Sequence, residues 1–106
     1  MWSAAILNEH PDEVLAANED FFDAGAQVAT TCSYQVTFDG FAQIGMGNGD
    51  IEKLLRKSVD LAREATGGLD GRYVAASVGP YGAGPGAGTE YDGAYGIGVN
   101  LLAEWH

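Results

Sequence analysis

Two short segments, residues 26–34 (AQVATTCSY) and 72–78 (RYVAASV), flank one strongly amphipathic stretch, and this alternation constrains the fold more than any other feature. Both are rich in small, apolar or β-branched residues, the composition of strands. Strands that alternate with helices pair in parallel, because a right-handed helical crossover returns the chain to the same sheet. Residues 73–76 (YVAA) form a continuous apolar run, as expected of a strand covered on both faces. Two such strands alone leave rows of unpaired N–H and C=O groups along their outer edges. The expectation is an α/β chain whose sheet needs further strands to close it.

The helical segments are read from spacing. In residues 11–25, Pro11 suits a first helical position and Asp12 and Glu13 suit the positive end of the helix dipole. Val14, Ala17, Phe21 and Ala24 recur at helical spacing, and Gly25 is a natural stop. The second helix is predicted to start with Asp50 as cap and to end at Gly67 and Gly68. Ile51, Leu54, Leu55, Ser58, Leu61, Ala62 and Ala65 trace one face; Glu52, Lys53, Arg56, Lys57, Asp60 and Arg63 cover the other. Glu52 and Arg56 stand in the favourable order for an ion pair. Residues 35–49, broken by Gly40, Gly45, Gly47 and Gly49, read as loop with a short turn of helix. Residues 100–106 begin a helical pattern through Leu101, Leu102 and Trp105 without a terminal cap. A chain that opens on a helix and closes inside one is expected to be truncated at both ends.

Charge removes several classes of partner. Fifteen acidic residues face five basic ones, a formal net charge of −10. Such a surface repels phosphate backbones and anionic lipid, so neither nucleic acid nor a membrane is an expected partner. No apolar run reaches the length of a membrane span, and residues 1–7 lack the features of a signal peptide, so a cytoplasmic location is expected. The single cysteine, Cys32, excludes an internal disulfide and any multi-cysteine zinc site made by these residues alone.

Four pieces of sequence in fixed order carry a resemblance. WSAAIL (2–7) leads into the first helix; residues 25–41 contain the pattern TxSYQxTxxGF; LLRKSVDLAREA (54–65) forms the second helix; VAASVGPYGA (74–83) is followed by GTEYDGAYG (88–96). Together they resemble the homocysteine S-methyltransferase family, in particular its S-methylmethionine-dependent branch. The resemblance implies a fragment of a (β/α)8 TIM barrel: helix 1, strand 2, helix 2, strand 3 and the start of helix 3. Such barrels run to about 250 residues. Residues 1–106 would then be one partial homocysteine-binding domain.

The activity implied is transfer of a methyl group from a sulfonium donor, S-methylmethionine or S-adenosylmethionine, to homocysteine held as a zinc thiolate, giving methionine. A metal makes chemical sense there, since a free thiol is mostly protonated at neutral pH. The family's zinc-binding cysteines lie on late strands; Cys32 matches none of them, and the acidic glycine motif of the first strand is also missing. The isolated chain is therefore expected to be inactive, with no catalytic residue and no metal ligand of its own.

Barrel sites collect at the carboxyl ends of strands. By resemblance, Thr31 and Tyr34 line the homocysteine site, with Ser33 and Gln35 beside them. The plainer reading makes Thr31 a β-branched strand residue and Tyr34 a packing residue of the rim. Cys32 has no basic neighbour in sequence to activate it and reads as a small buried hydrophobe. Ser77, Gly79, Pro80 and Tyr81 shape the rim or form a structural turn. The run GAGPGAG (82–88) lacks the third glycine of GxGxxG and any GKS or GKT, so it reads as a flexible rim loop rather than a phosphate cradle. Tyr91 and Tyr95 are loop-packing residues or pack over a ligand. His10 is a helix cap or solvated, and Trp2 and Trp105 are packing residues. The competing function is a stand-alone, non-catalytic module that binds an amino acid or self-associates through exposed strand edges.

Overall fold

The computed structural model describes residues 2–84 and 89–106, with the side chains of Trp2 and Ser3 outside that description. In chain order the elements are α1 (Trp2–Glu9), α2 (Pro11–Asp23), β1 (Val28–Thr30), α3 (Phe38–Ala42), α4 (Asn48–Ala65), β2 (Tyr73–Ala75), a 3-10 turn (Tyr81–Ala83) and α5 (Val99–Trp105). β1 and β2 pair in parallel, with Val28 opposite Tyr73, Ala29 opposite Val74 and Thr30 opposite Ala75. The chain is thus α/β with a small parallel sheet, as the alternation predicted. Among the described residues no helix is long and apolar enough to cross a membrane.

Two apolar clusters hold these elements together. Phe41, 1% exposed, packs with Ala4 and Leu7 of α1, Val36, and Ile51 and Leu54 of α4. Phe22 of α2, Ala29 of β1, and Ala62 and Ala65 of α4 form the second cluster, against the sheet. The face predicted for α4 is largely the buried one: Ile51, Leu54, Ser58, Ala62 and Ala65 are covered, and Leu55 and Leu61 are half-covered. Glu52 and Arg56 pair at 2.6 Å on its exposed side.

Several details correct the sequence reading. Residues 2–9 form a separate helix, and the chain turns at His10, whose side chain makes no capping bond and is exposed. On α2 the buried apolar residues are Val14 and Phe22, whereas Phe21 is 69% exposed and Ala17 and Ala24 also face out. One step of a helix turns a side chain by about 100°, so the periodicity selected the helix and the buried Val14 but chose Phe21 in place of its neighbour Phe22. The helix does stop at Gly25, with φ +104°: Gly25 N–H donates to the Phe22 carbonyl and Ala26 N–H to the Phe21 carbonyl. This double bond pattern requires a left-handed residue, which glycine adopts freely. The cap of α4 is Gly47, and Asp50 instead lies in the first turn, 3.2 Å from Lys53.

The strands are shorter than predicted and covered on one face only. Ala29 is buried beneath the helices, while Val28 (52%) and Tyr73 (63%) are exposed on the other side. Alternation of side chains in a strand puts Thr30 and Ala75 on that same open face, and both are exposed.

Candidate functional site

The chain between β1 and α3 is organised by its own side chains. Thr37 accepts a hydrogen bond from Gly40 N–H at 3.0 Å and so caps α3, and the cap sets Phe41 into the core. Most of the pattern TxSYQxTxxGF is therefore a folding instruction. Its hydroxyls Thr31 and Ser33 do a second job at the carboxyl end of the sheet.

There the ladder of main-chain bonds gives way to a closed circuit of hydroxyls. Thr31 N–H still donates to the Ala75 carbonyl at 3.0 Å. One step further, Ser77 N–H donates to Thr31 Oγ1 at 2.8 Å, and Ser33 Oγ donates to the Ser77 carbonyl at 2.8 Å. Thr31 Oγ1 and Ser33 Oγ are 2.7 Å apart. Since the Ser33 proton is committed to Ser77, the Thr31 hydroxyl must be the donor to Ser33. Each proton then has one place to go, and Thr31 (3% exposed) and Ser33 (8%) are satisfied inside the fold. The circuit fastens the two strands where they would otherwise part.

This circuit stands between two clefts that share Ser77. One, of about 500 Å³, is lined by Ile6, Val14, Thr30, Thr31, Cys32 and Tyr34 among others. The second, of about 200 Å³, is lined by Ser33, Thr37, Leu55, Val78 and Trp105 among others. Gln35 lies in neither; it lines a third recess with Thr37, Asp39 and Gln43. The structure thus brings Thr31, Cys32 and Tyr34 together, sets Ser33 on the far side of the fastening, and separates Gln35 from them. Thr30, on the open face, was not singled out by the sequence, although its place at a strand end was a usable signal.

Tyr34 is tied across the chain to Glu90, whose carboxylate accepts a hydrogen bond from the phenol O–H. That bond, then burial and the nearby negative charge of Glu90, push the Tyr34 pKa up from 10.0 to about 12. The phenol therefore stays protonated at neutral pH, its proton pointing at Glu90 and its lone pairs left for donors. The sequence GTEYDGAYG implies no role for Glu90, because a bond spanning 56 positions has no local signature.

The glycine-rich rim is packed where it is described. A Cβ on Gly79 would stand 2.0 Å from the Tyr34 carbonyl oxygen, and one on Gly82 would stand 2.6 Å from the Glu90 Cα. Within the run 82–88, Gly82 and Gly84 thus lie close against other segments of the chain, and residues 85–88 lie outside the described residues. Tyr81 packs against Tyr95 and Trp105, with ring centroids 5.4 Å away in both cases. Trp105 Nε1 donates to Asp39 at 2.9 Å, joining α5 to α3. Tyr91 is 95% exposed. Among the described residues, no group of three or more His, Cys, Asp or Glu is placed to hold a metal ion.

Comparison with known proteins adds to this geometry. The family model described as homocysteine S-methyltransferase matches residues 1–106. The chain is 40% identical to homocysteine S-methyltransferase YbgG of Bacillus subtilis, over all of this chain and 37% of that protein. It is likewise 40% identical to homocysteine S-methyltransferase of Escherichia coli, over all of this chain and 36% of that protein. The crystal structure of the homocysteine methyltransferase MmuM from Escherichia coli, in metallated form, superimposes with a TM-score of 0.87. That match has 40% identity and covers 99% of this chain and 39% of the other. The chain therefore spans little more than a third of the length of these relatives.

Proposed function

The chain belongs to the homocysteine S-methyltransferase family, and from that premise we propose that it supplies one part of a barrel enzyme that methylates homocysteine. In this reading residues 1–106 form a partial homocysteine-binding domain, contributing strands 2 and 3 of a (β/α)8 barrel with the helices that back them. The single observation that carries it is the one-sided sheet. Its inner row, Val28, Thr30, Tyr73 and Ala75, is exposed although the opposite face is packed beneath helices. That is the geometry of a barrel wall seen without its remaining strands.

The reaction is a displacement. The homocysteine sulfur attacks the methyl carbon of a sulfonium donor, S-methylmethionine or S-adenosylmethionine, and forms the new S–C bond. The old S–C bond breaks, its electron pair stays on the donor sulfur, which leaves as a neutral thioether, and the thiol proton is lost to solvent. A zinc ion, which the resemblance implies for activating the thiol, does not fit the donors present here: Cys32 is the lone cysteine, and the described residues offer no cluster around it. This segment's own work is to bind and orient. Thr31 and Ser33 hold the strand ends at a fixed spacing, and Tyr34 borders the substrate with its lone pairs offered to a donor group, while Gln35 lines the separate recess of Thr37, Asp39 and Gln43.

The 106-residue chain alone is expected to make no methionine from homocysteine and S-methylmethionine. Co-expression with the remaining strands of a relative's barrel is expected to restore methionine formation. Turnover by the pure chain, or none from the completed barrel, would refute the proposal. The open apolar face also supports a second reading, self-association of a non-catalytic module, and a concentration-dependent dimer in size-exclusion chromatography is its test.

A further inference from the structure

Tyr34 stands half-buried in the turn after β1, and the segment that follows β2 grips it at both ends. At its backbone, the Tyr34 carbonyl lies against Gly79, where a Cβ would come within 2.0 Å of the oxygen. At its tip, the hydroxyl donates to the carboxylate of Glu90. Glu90 is itself held in place by its backbone. A Cβ on Gly82 would stand 2.6 Å from the Glu90 Cα and 2.7 Å from its nitrogen. Two glycines three positions apart therefore set the two ends of one bridge. A tyrosine side chain has two soft torsions, and fixing both its main chain and its oxygen leaves one orientation. The ion pairs among the described residues join Asp50 to Lys53, Glu52 to Arg56 and Asp23 to Arg72, so none of them draws the Glu90 carboxylate away from the phenol.

We infer that Glu90 is a positioning residue for homocysteine, acting through Tyr34, a role that rests on the proposed reading of Tyr34 as a border of the substrate. Without Glu90 the phenol turns about both torsions, and its hydroxyl is free to donate as well as accept. A substrate then meets a mobile group of either polarity. With Glu90 in place the hydroxyl proton is committed, and the ring is already held where it lines the cleft of Thr31, Cys32 and Ser77. A contact that is ordered before binding loses less conformational freedom when the substrate arrives. No chemical step is assigned to Glu90. Its effect passes through one side chain, which separates positioning from a general role in holding the rim.

The test has two parts. In the 106-residue chain, NMR couplings across χ1 of residue 34 are expected to report one rotamer. Glu90→Ala, and Tyr34→Phe from the other side of the same bond, are each expected to average it, while the couplings of the buried Phe41 stay unchanged. In the completed barrel, Glu90→Ala and Tyr34→Phe should each raise the KM for homocysteine about tenfold and change kcat by less than about twofold. The double variant should be within about twofold of Tyr34→Phe alone, since Glu90 has nothing left to act through. A single rotamer that persists in Glu90→Ala, a loss confined to kcat, or losses that multiply in the double variant would each overturn the role. The proposed reaction fails separately: a completed barrel of parent sequence that makes no methionine sinks the reaction, and the rotamer of Tyr34 then decides by itself whether Glu90 holds it.

Discussion

Residues 2–65 and residues 73–105 are built on opposite principles. Every buried apolar side chain among the described residues lies between Ala4 and Ala65. Beyond position 65 the buried described residues are Gly79 and Gly82, which have no side chain at all. The first region is held by what its side chains fill. The second is held by how closely its backbone can approach other backbone, and by ring edges and a few long-range polar bonds. Helices can bury an apolar stripe locally, whereas a rim segment must be brought to its partners by the sheet. Regions of the second kind open at lower free-energy cost and are where ligands are commonly met.

The sharpest way to break the comparison is to damage each region by its own rule. Phe41→Ala empties the centre of the first cluster and should cost about 3–5 kcal/mol, read as a lower urea midpoint. Gly79→Ala adds one carbon where the Tyr34 carbonyl already stands and should cost about 3 kcal/mol by overpacking, with Tyr34 amide protection falling more than that of α4. A neutral Gly79→Ala would show that the rim is not held by close backbone approach.

A smaller effect tests the join between the two regions. Thr31→Val keeps the shape but leaves Ser77 N–H and the Ser33 oxygen without their partner, and should cost about 1–3 kcal/mol. Hydrogen exchange at Ser77 should rise while α4 keeps its protection. If Ser77 exchanges no faster, the hydroxyl circuit is not the fastening.

The smallest effect is electrostatic. The folded pKa of Tyr34 lies near 12 against 10.0 for a free tyrosine, so between those values the unfolded chain has lost a proton that the folded chain keeps. The unfolded state then binds fewer protons, and stability falls as pH rises through that window; below it the contribution is intact. Absorbance titration should show one of the five tyrosines ionising late, and Glu90→Gln should return it toward 10. A late tyrosine that persists in Glu90→Gln would remove this bond as the cause.

Legibility in the sequence followed the same division. Helix α4 was readable because its apolar residues recur at helical spacing along one element, and Gly67 and Gly68 marked its end. On α2 Val14 was placed correctly, but Phe21 was chosen over Phe22 because the two are equally apolar, and only the position of α4 and β1 decides which one is buried. Thr31, Ser33 and Tyr34 were identifiable as strand-end residues, yet their partners Ser77 and Glu90 lie 44 to 56 positions away.

By itself the amino-acid sequence determined the order of helices and strands, the parallel pairing, the acidic character and the family, because these follow from local spacing, composition and motif order. Only the tertiary structure decided which face of the sheet stays open, which hydroxyls are spent on fastening, and that Glu90 meets Tyr34. The physical reason is range: periodicity reports what a residue prefers within its own element, whereas a hydrogen bond across the fold depends on where distant elements bring their ends.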